Sequence, residues 1–391
     1  MKLIIFFLKV KFYINSKSIF NSILLFFYNL KKENTKYPKY LLTLEKKLAT
    51  YFGVKYALTF SNGTTAFTAI LYAIGVKKNS KILISKMSFP SVISSILRIG
   101  AQPIFLNFDE NLQIEKPNQE IIQNANYLLI THAFGIPQNI QIINEYLKIN
   151  PKLKIIEDNS HSQGAIINQI KTGAFGIASF MSMQGGKAIN AGEGGAVLTN
   201  DIKIYNRMHY LMHLNRKSNF DKNLDQLSSI GFLGKGRMSP LGAIGALSDL
   251  NDLDNRNNKI RKKYKIIYDS LKFIPDLKFP YINNFENTGG YHYGLPVFIH
   301  SKETLDLIKN YFKINNYDWP NLDKNENFND PSKFNEIIYK ENLNLEDVFN
   351  KSNDLRDKLY FFDLRQMFFL NNYIIKKKLK TFKKKINENK F

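Results

Sequence analysis

The chain has 391 residues, 44% apolar and 14% aromatic, enough to bury one large and one smaller domain. It contains no cysteine, which excludes disulfides, thiolate metal sites and cysteine nucleophiles. The formal net charge of +22 suggests nucleic acid, but residues 1–40 and 376–391 carry +7 each, leaving only +8 for the 335 residues between them.

No RNA-binding aromatic motif, zinc finger or helix-turn-helix signature accompanies that charge. Lysine greatly outnumbers arginine beside abundant Asn, Ile and Phe, the compositional bias of an AT-rich genome. A basic body still attracts anionic substrates such as nucleotide diphosphates. The six histidines do not cluster at ligand spacing. His209 and His213 stand four apart without an HExxH frame, so they read as a solvated or packed helix face and no metal is expected.

Residues 1–40 form an apolar, basic extension containing Lys2, Lys9, Lys11 and Lys17. Its longest apolar runs, Leu3–Leu8 and Ile23–Tyr28, fall far short of the ~18–20 residues that span a bilayer. No small-residue cleavage site follows them. Phe20, Ile23, Leu24, Phe27 and Tyr28 share one helical face, with Lys17, Asn21 and Ser22 on the other. Two readings fit: a helix packed on the body or on a second subunit, or a basic amphipathic helix in peripheral contact with an anionic membrane. Absence of cysteine fits a cytoplasmic protein without requiring one.

From Glu45 to about Asn200 the pattern alternates. The β-rich runs are Tyr56–Phe60, Ile82–Ser85, Pro103–Asn107, Tyr127–Thr131, Leu153–Glu157, Ala178–Ser182 and Ala196–Thr199. Helical patterns occupy Thr65–Ile74, Ser91–Ile99, Glu120–Asn124 and Asn139–Ile149. Such alternation predicts an α/β domain whose mostly parallel sheet lies between helices, with ligands at the carboxyl ends of the strands. Residues 240–271 read as one long helix. Pro275, Pro280 and the Asn-rich stretch 283–287 mark a change of regime. The expected division is therefore a large domain over 41–272 and a smaller C-terminal domain over 273–391, with surface loops at 320–350.

Four features beside β-rich runs can carry chemistry. Ser61-Asn62-Gly63-Thr64-Thr65 opens a helix after a strand, where backbone N–H groups and the macrodipole suit an anion. Taken alone, it is more readily an ordinary N-cap. Asp158, with Glu157, ends a mostly apolar strand, where a carboxylate needs a partner: a protonated pyridine nitrogen, or a structural salt bridge or cap. Lys187 follows Gly185-Gly186; near apolar neighbours its amine could attack an aldehyde, although an exposed loop lysine is the plainer reading. Gly192-Glu193-Gly194-Gly195 is a tight loop re-entering a strand. The order matters more than any one feature: anion cradle, strand-end acid, then lysine are the three groups that pyridoxal phosphate requires.

The stretch from Tyr51 to Asp201 resembles the DegT/DnrJ/EryC1/StrS sugar aminotransferases, a branch of the pyridoxal-phosphate enzymes of fold type I. The resemblance is carried by Tyr51–Ala57, Asn62-Gly63-Thr64, Gly100–Phe105, His132–Gly135, Glu157-Asp158-Asn159-Ser160-His161-Ser162-Gln163-Gly164-Ala165 and Ser182–Gly195, and later by Gly234–Pro240 and the helix Ala243–Leu253. It implies the fold-type-I architecture: a large domain with a mostly parallel seven-stranded sheet and a smaller C-terminal α+β domain. It also implies roles. Lys187 would bond the cofactor and move the reacting proton, and Asp158 would pair with the pyridine nitrogen. Gly63, Thr64 and Ser182 would hold the phosphate. Phe89, in Ser88-Phe89-Pro90, stands where the family stacks an aromatic ring on the cofactor. His161 takes the place of a Gln or His that touches it. The family works as a homodimer with a shared site.

The chain departs from the family at several points. Lys235 stands where an Asn usually reaches the neighbouring subunit's phosphate, and Gly185-Gly186 is more open than usual. Tyr291-His292 is similar to a family motif, but the usual ending is not recognisable in Asp354–Phe391. The activity implied is transfer of an amino group, with glutamate as expected donor, to a keto-sugar, nucleotide-linked and destined for surface polysaccharide or a related glycan. Two alternatives stand beside it. Some relatives are dehydratases, which typically place His where Lys187 stands. The other alternative is a non-catalytic regulatory or membrane-associated protein on an inherited fold.

Overall fold

A computed structural model describes residues 39–116, 118–213, 231–280, 287–289, 294–312, 314–316, 355, 358–363 and 372–388. The amphipathic face expected at Phe20–Tyr28, the Tyr291-His292 pair and the loops expected at 320–350 lie outside them.

In chain order the elements begin with α1 (Lys39–Phe52), β1 (Tyr56–Phe60), α2 (Gly63–Ala73), β2 (Lys81–Ser85), α3 (Pro90–Arg98) and β3 (Gln102–Leu106). Next come α4 (Gln119–Gln123), β4 (Tyr127–Thr131), α5 (Ile140–Ile149), β5 (Lys154–Asp158), β6 (Ile166–Ile167), β7 (Ile170–Lys171), β8 (Ala178–Ser182), β9 (Gly195–Thr199) and α6 (Ile202–Met212). The remainder is α7 (Pro240–Asn251), α8 (Leu253–Leu271), β10 (Leu277–Lys278), β11 (Gly294–Ile299), α9 (Lys302–Tyr311), β12 (Ile314–Asn316), β13 (Leu359–Asp363) and α10 (Asn372–Glu388). A seven-stranded sheet has the order β1-β9-β8-β5-β4-β2-β3. Strands β5 and β8 pair in parallel, as do β2 with β3 and β2 with β4, while β9 runs antiparallel to both β1 and β8. This is the mostly parallel α/β sheet expected.

The chain divides into two compact units. The first comprises Met1–Lys77, Lys154–Gly164 and Gln169–Asn255. Its strands are apolar runs buried along nearly their whole length, as a sheet covered on both faces demands. Helix α2 is apolar on nearly every side because it too is buried, with Phe67 packed on Phe180 at 4.7 Å between ring centroids. A second apolar cluster joins Leu41, Leu44 and Leu48 of α1 to Met181, Met183, Ile189 and Met238 and to Ala243 and Ala246 of α7. His209 in α6 and His213 at its C-cap lie buried, against Tyr205 and Phe60 respectively, so theirs is a packed face and not a solvated one.

The second unit comprises Lys78–Leu153, Ala165–Asn168 and Arg256–Phe391. A four-stranded sheet of order β10-β11-β13-β12 supplies Val297, Phe298, Phe361 and Phe362 to its core. Ile375, Leu379 and Phe382 of α10 enter the same core, while Lys376, Lys377 and Lys380 of that helix face solvent.

The stretch read as one helix over 240–271 is two. Helix α7 stops at Asp252, whose N–H bonds to Asp249 O and Leu250 O in a tightened last turn. The Asp252 side chain accepts from Asn255 Nδ2 at 2.9 Å. Asn and Asp compete with the helix ladder for local hydrogen bonds, and here they divide the periodic pattern.

Candidate active site

The first unit assembles the site from the ends of its strands. Register aligns Phe60 of β1 with Gly195 of β9, and Gly195 with Ser182 of β8. One strand further, Asp158 of β5 pairs with Phe180 of β8. The carboxyl ends of β1, β8 and β5 therefore share one edge of the sheet, where α/β sheets bind ligands.

Helix α2 starts at that edge. Asn62 caps it, its side chain accepting from Thr65 N at 2.7 Å. Two glycines bring the cap close. A Cβ on Gly195 would fall 2.5 Å from the backbone carbon and oxygen of Asn62 and 2.7 Å from Gly63 N. A Cβ on Gly63 would meet Ser182 Cβ at 3.0 Å. Gly63 and Ser182 are thus neighbours at the positive end of a buried helix, with the half-buried Thr64 one residue on. Lys235 lies exposed on a segment bound to the same place: Ser61 N donates to Gly236 O at 2.6 Å.

Asp158 is buried, 6% exposed, and its carboxylate accepts Ser160 N at 2.9 Å. Glu157 projects to the opposite face and is fully buried. One of its oxygens accepts Gly173 N, and the other accepts Phe175 N and Gly176 N, all at 2.7 Å. Three backbone donors thereby fix the strand end that carries Asp158. Ser160 in turn accepts Ser182 N through its Oγ at 3.0 Å, linking the ends of β5 and β8. His161 is half-buried in the same turn.

Lys187 stands in the loop joining β8 to β9. Met183 N bonds to Gly194 O, Ala191 N to Met183 O and Gly185 N to Gly192 O, each at 2.8 Å. Helix α7 supports the far side of this loop: Asn190 N donates to Asp249 Oδ2 at 3.0 Å, and a Cβ on Gly242 would fall 2.8 Å from Ala191 O. Gln184, Gly185 and Gly186 are exposed at the tip, whereas Lys187 is half-buried. Loss of hydration lowers its pKa from 10.5 to about 8, and the Asp158 charge pulls it partly back up. Lys187 and Asp158 thus lie within electrostatic reach of each other, and the amine is poised to lose its proton near neutrality.

Phe89 belongs to the second unit. It is the N-cap of α3, ahead of Pro90, and is 47% exposed. Reasoning from sequence missed Glu157 as an anchor, and it missed Gln163. It also missed the network in which Asn159 Oδ1 accepts from Ser162 Oγ and Thr172 Oγ1 at 2.5 and 2.8 Å. The one available signal was the polar run Glu157–Gln163 directly after an apolar strand.

Set against known proteins, residues 29–323 match the model of the DegT/DnrJ/EryC1/StrS aminotransferase family. The chain belongs to that family. A GDP-perosamine synthase of Escherichia coli O157:H7 is 31% identical over 175 residues, covering 44% of this chain and 48% of that protein. The chain thus spans about half the length of the curated relative it matches. Among solved structures, a family aminotransferase from Brucella abortus has a TM-score of 0.71 at 17% identity, covering 94% of this chain and 95% of that one. The E. coli GDP-4-keto-6-deoxy-D-mannose-3-dehydratase, solved with bound hydrated PLP, has a TM-score of 0.70 at 20% identity, covering 90% and 97%. These two likenesses establish a shared fold. No helix among the described residues is long and apolar enough to cross a membrane.

Proposed function

We propose that this member of the family is a pyridoxal-phosphate-dependent aminotransferase that places an amino group on a keto-sugar, nucleotide-linked, using an amino acid such as glutamate as donor. The observation that carries the reading is Lys187: a lysine with pKa lowered to about 8, within reach of the Asp158 charge, in the loop that leaves Ser182. The residues present fit the cofactor. A cradle that a Cβ would fill supports Gly63 and Ser182 beside a helix N-terminus, suited to a phosphate. A buried carboxylate suits a protonated ring nitrogen.

Bound pyridoxal phosphate supplies an aldehyde and an electron-accepting ring. In this reading Gly63, Thr64 and Ser182 bind its phosphate, and the exposed Lys235 adds a positive charge near the cradle or toward a second copy. Asp158 holds the proton on the ring nitrogen. By the family resemblance Phe89 would be the stacking aromatic, and His161 would orient the ring. The amine of Lys187, relieved of its proton at mildly alkaline pH, would hold the cofactor through its aldehyde, with loss of water, and would move a proton at the substrate carbon. A homodimer with a shared site belongs to the same reading.

The test is direct. The purified chain, supplied with cofactor, glutamate and a nucleotide-linked 4-keto-sugar, should yield an amino sugar, and Lys187→Ala should abolish both the yield and the visible absorbance of the bound cofactor. Full activity in Lys187→Ala would refute the assignment. A deoxy-ketose in place of an amine would favour the dehydratase reading, and a colourless protein that binds no cofactor would favour a non-catalytic one.

A further inference from the structure

Gln163 stands five residues beyond Asp158 and is almost wholly buried, at 1% exposure. Its side chain spans the base of the lysine loop. Nε2 donates to Ser182 O at 2.8 Å, on the last residue of β8. Oε1 accepts Ile189 N at 2.6 Å, two residues past Lys187. One amide thus grips the loop on both sides of the lysine. The loop's own backbone bonds join its two flanks to each other, whereas Gln163 joins them to the segment that carries Asp158.

The composition of the loop shows why this matters. Gly185 and Gly186 are exposed, Gly186 with a φ of +99°, and the turn that Lys187 N closes on Gln184 O at 3.0 Å ties the tip to the loop itself and not to the strand end that bears Asp158. A four-carbon side chain on such a tip samples many positions unless its Cα is fixed. A primary amide suits the task, because it offers a donor and an acceptor on one rigid plane, and both are used here.

We propose that Gln163 is a positioning residue for Lys187, holding the lysine loop in fixed register with the strand end that bears Asp158. The inference rests on the functional reading above for its purpose, but its test does not need bound cofactor. Gln163→Met keeps the length and loses both hydrogen bonds. Gln163→Asn keeps an amide but is one methylene too short to reach both partners. Thr172→Val serves as a control: it removes the one hydroxyl donor, which lies 2.8 Å from Asn159 Oδ1 and 2.9 Å from Ser162 O in the neighbouring network, without touching the lysine loop.

The measurement is the pH dependence of acetylation at Lys187 in the full-length, cofactor-free protein, read by mass spectrometry beside thermal melting. In the native chain the midpoint should lie near 8. Released from its buried position, the amine regains hydration, and the midpoint should rise by about one pH unit or more in both Gln163 variants. Thr172→Val should melt earlier yet leave the midpoint in place. An unmoved midpoint in the Gln163 variants overturns the proposal, and so does an equal shift in Thr172→Val, which would mark a general loosening of the fold. If the native protein binds no pyridoxal phosphate, the functional reading fails separately, and the acetylation series still decides the role of Gln163.

Discussion

Removing the charge at Lys187 should stabilise the cofactor-free protein. The pKa of this amine falls from 10.5 to about 8 on folding, chiefly because burial strips its hydration. Below about pH 8 both folded and unfolded chains carry the proton, so the folded state bears the full cost of an under-hydrated ammonium. Between about 8 and 10.5 the unfolded chain binds more protons than the folded one, and stability rises with pH through that window. The shift corresponds to about 3 kcal/mol at most. Lys187 is only half-buried, so solvent screening reduces this to about 1–2 kcal/mol. Lys187→Met keeps the stem and deletes the charge. Urea denaturation of the cofactor-free proteins should therefore show the variant more stable by that amount at pH 7, with most of the advantage gone near pH 10. Equal midpoints at pH 7, or an advantage that persists unchanged at pH 10, would refute the electrostatic argument.

Two further substitutions probe the frame. Gly195→Ala drives a methyl to within 2.5 Å of the Asn62 backbone, which has no flexible end to yield. It should cost about 1–3 kcal/mol in melting experiments and weaken retention of pyridoxal phosphate in equilibrium dialysis, because the start of α2 must move. Glu157→Gln replaces a carboxylate that accepts three backbone N–H groups with an amide whose NH2 must face a donor. A loss of about 2–3 kcal/mol in urea denaturation is expected, and no loss would show that the 173–176 turn can turn elsewhere for its acceptor.

The central sheet was legible because burial on both faces forces each strand into a short, continuous apolar run. Lys154–Asp158 shows the logic: three successive buried residues, Ile155, Ile156 and Glu157, precede a terminal carboxylate, and the boundary falls within a residue of the expected one. Strand direction was not legible, since the antiparallel pairing of β9 with β1 and β8 depends on how the chain returns and not on composition. The helix break at Asp252 was missed because the spacing of Leu241, Ile244, Leu247, Leu250 and Leu253 runs straight across it. In the C-terminal sheet, β10 and β12 are two and three residues long, too short to show a period. Among the candidate site residues, Gly63, Asp158 and Lys187 drew attention because each sits beside a strand end with a distinctive neighbour, and Ser182 entered through the family resemblance. Gln163 was not, because its bonds go to backbone atoms of residues 182 and 189, and no spacing in sequence records them.

Fold alone does not choose between amination and dehydration, because the chain shares its architecture with an aminotransferase and a dehydratase at nearly equal TM-scores of 0.71 and 0.70. In the proposed reading the choice falls to the side chain at position 187. A primary amine can form a covalent bond to an aldehyde, be displaced by an incoming amine and return a proton to carbon, which is what moving nitrogen from donor to acceptor demands. An imidazole at that place can exchange protons but cannot form that bond. The protein keeps the amine, lowers its proton affinity by burial and restrains that lowering with the Asp158 charge, so that both the protonated and the free form are accessible near pH 8. The anchoring of Glu157 and the grip of Gln163 make chemical sense in that light. The opposition of burial and charge at one amine depends on where Lys187 sits relative to Asp158: Glu157 anchors the strand end that bears Asp158, and Gln163 ties that segment to the loop that bears Lys187.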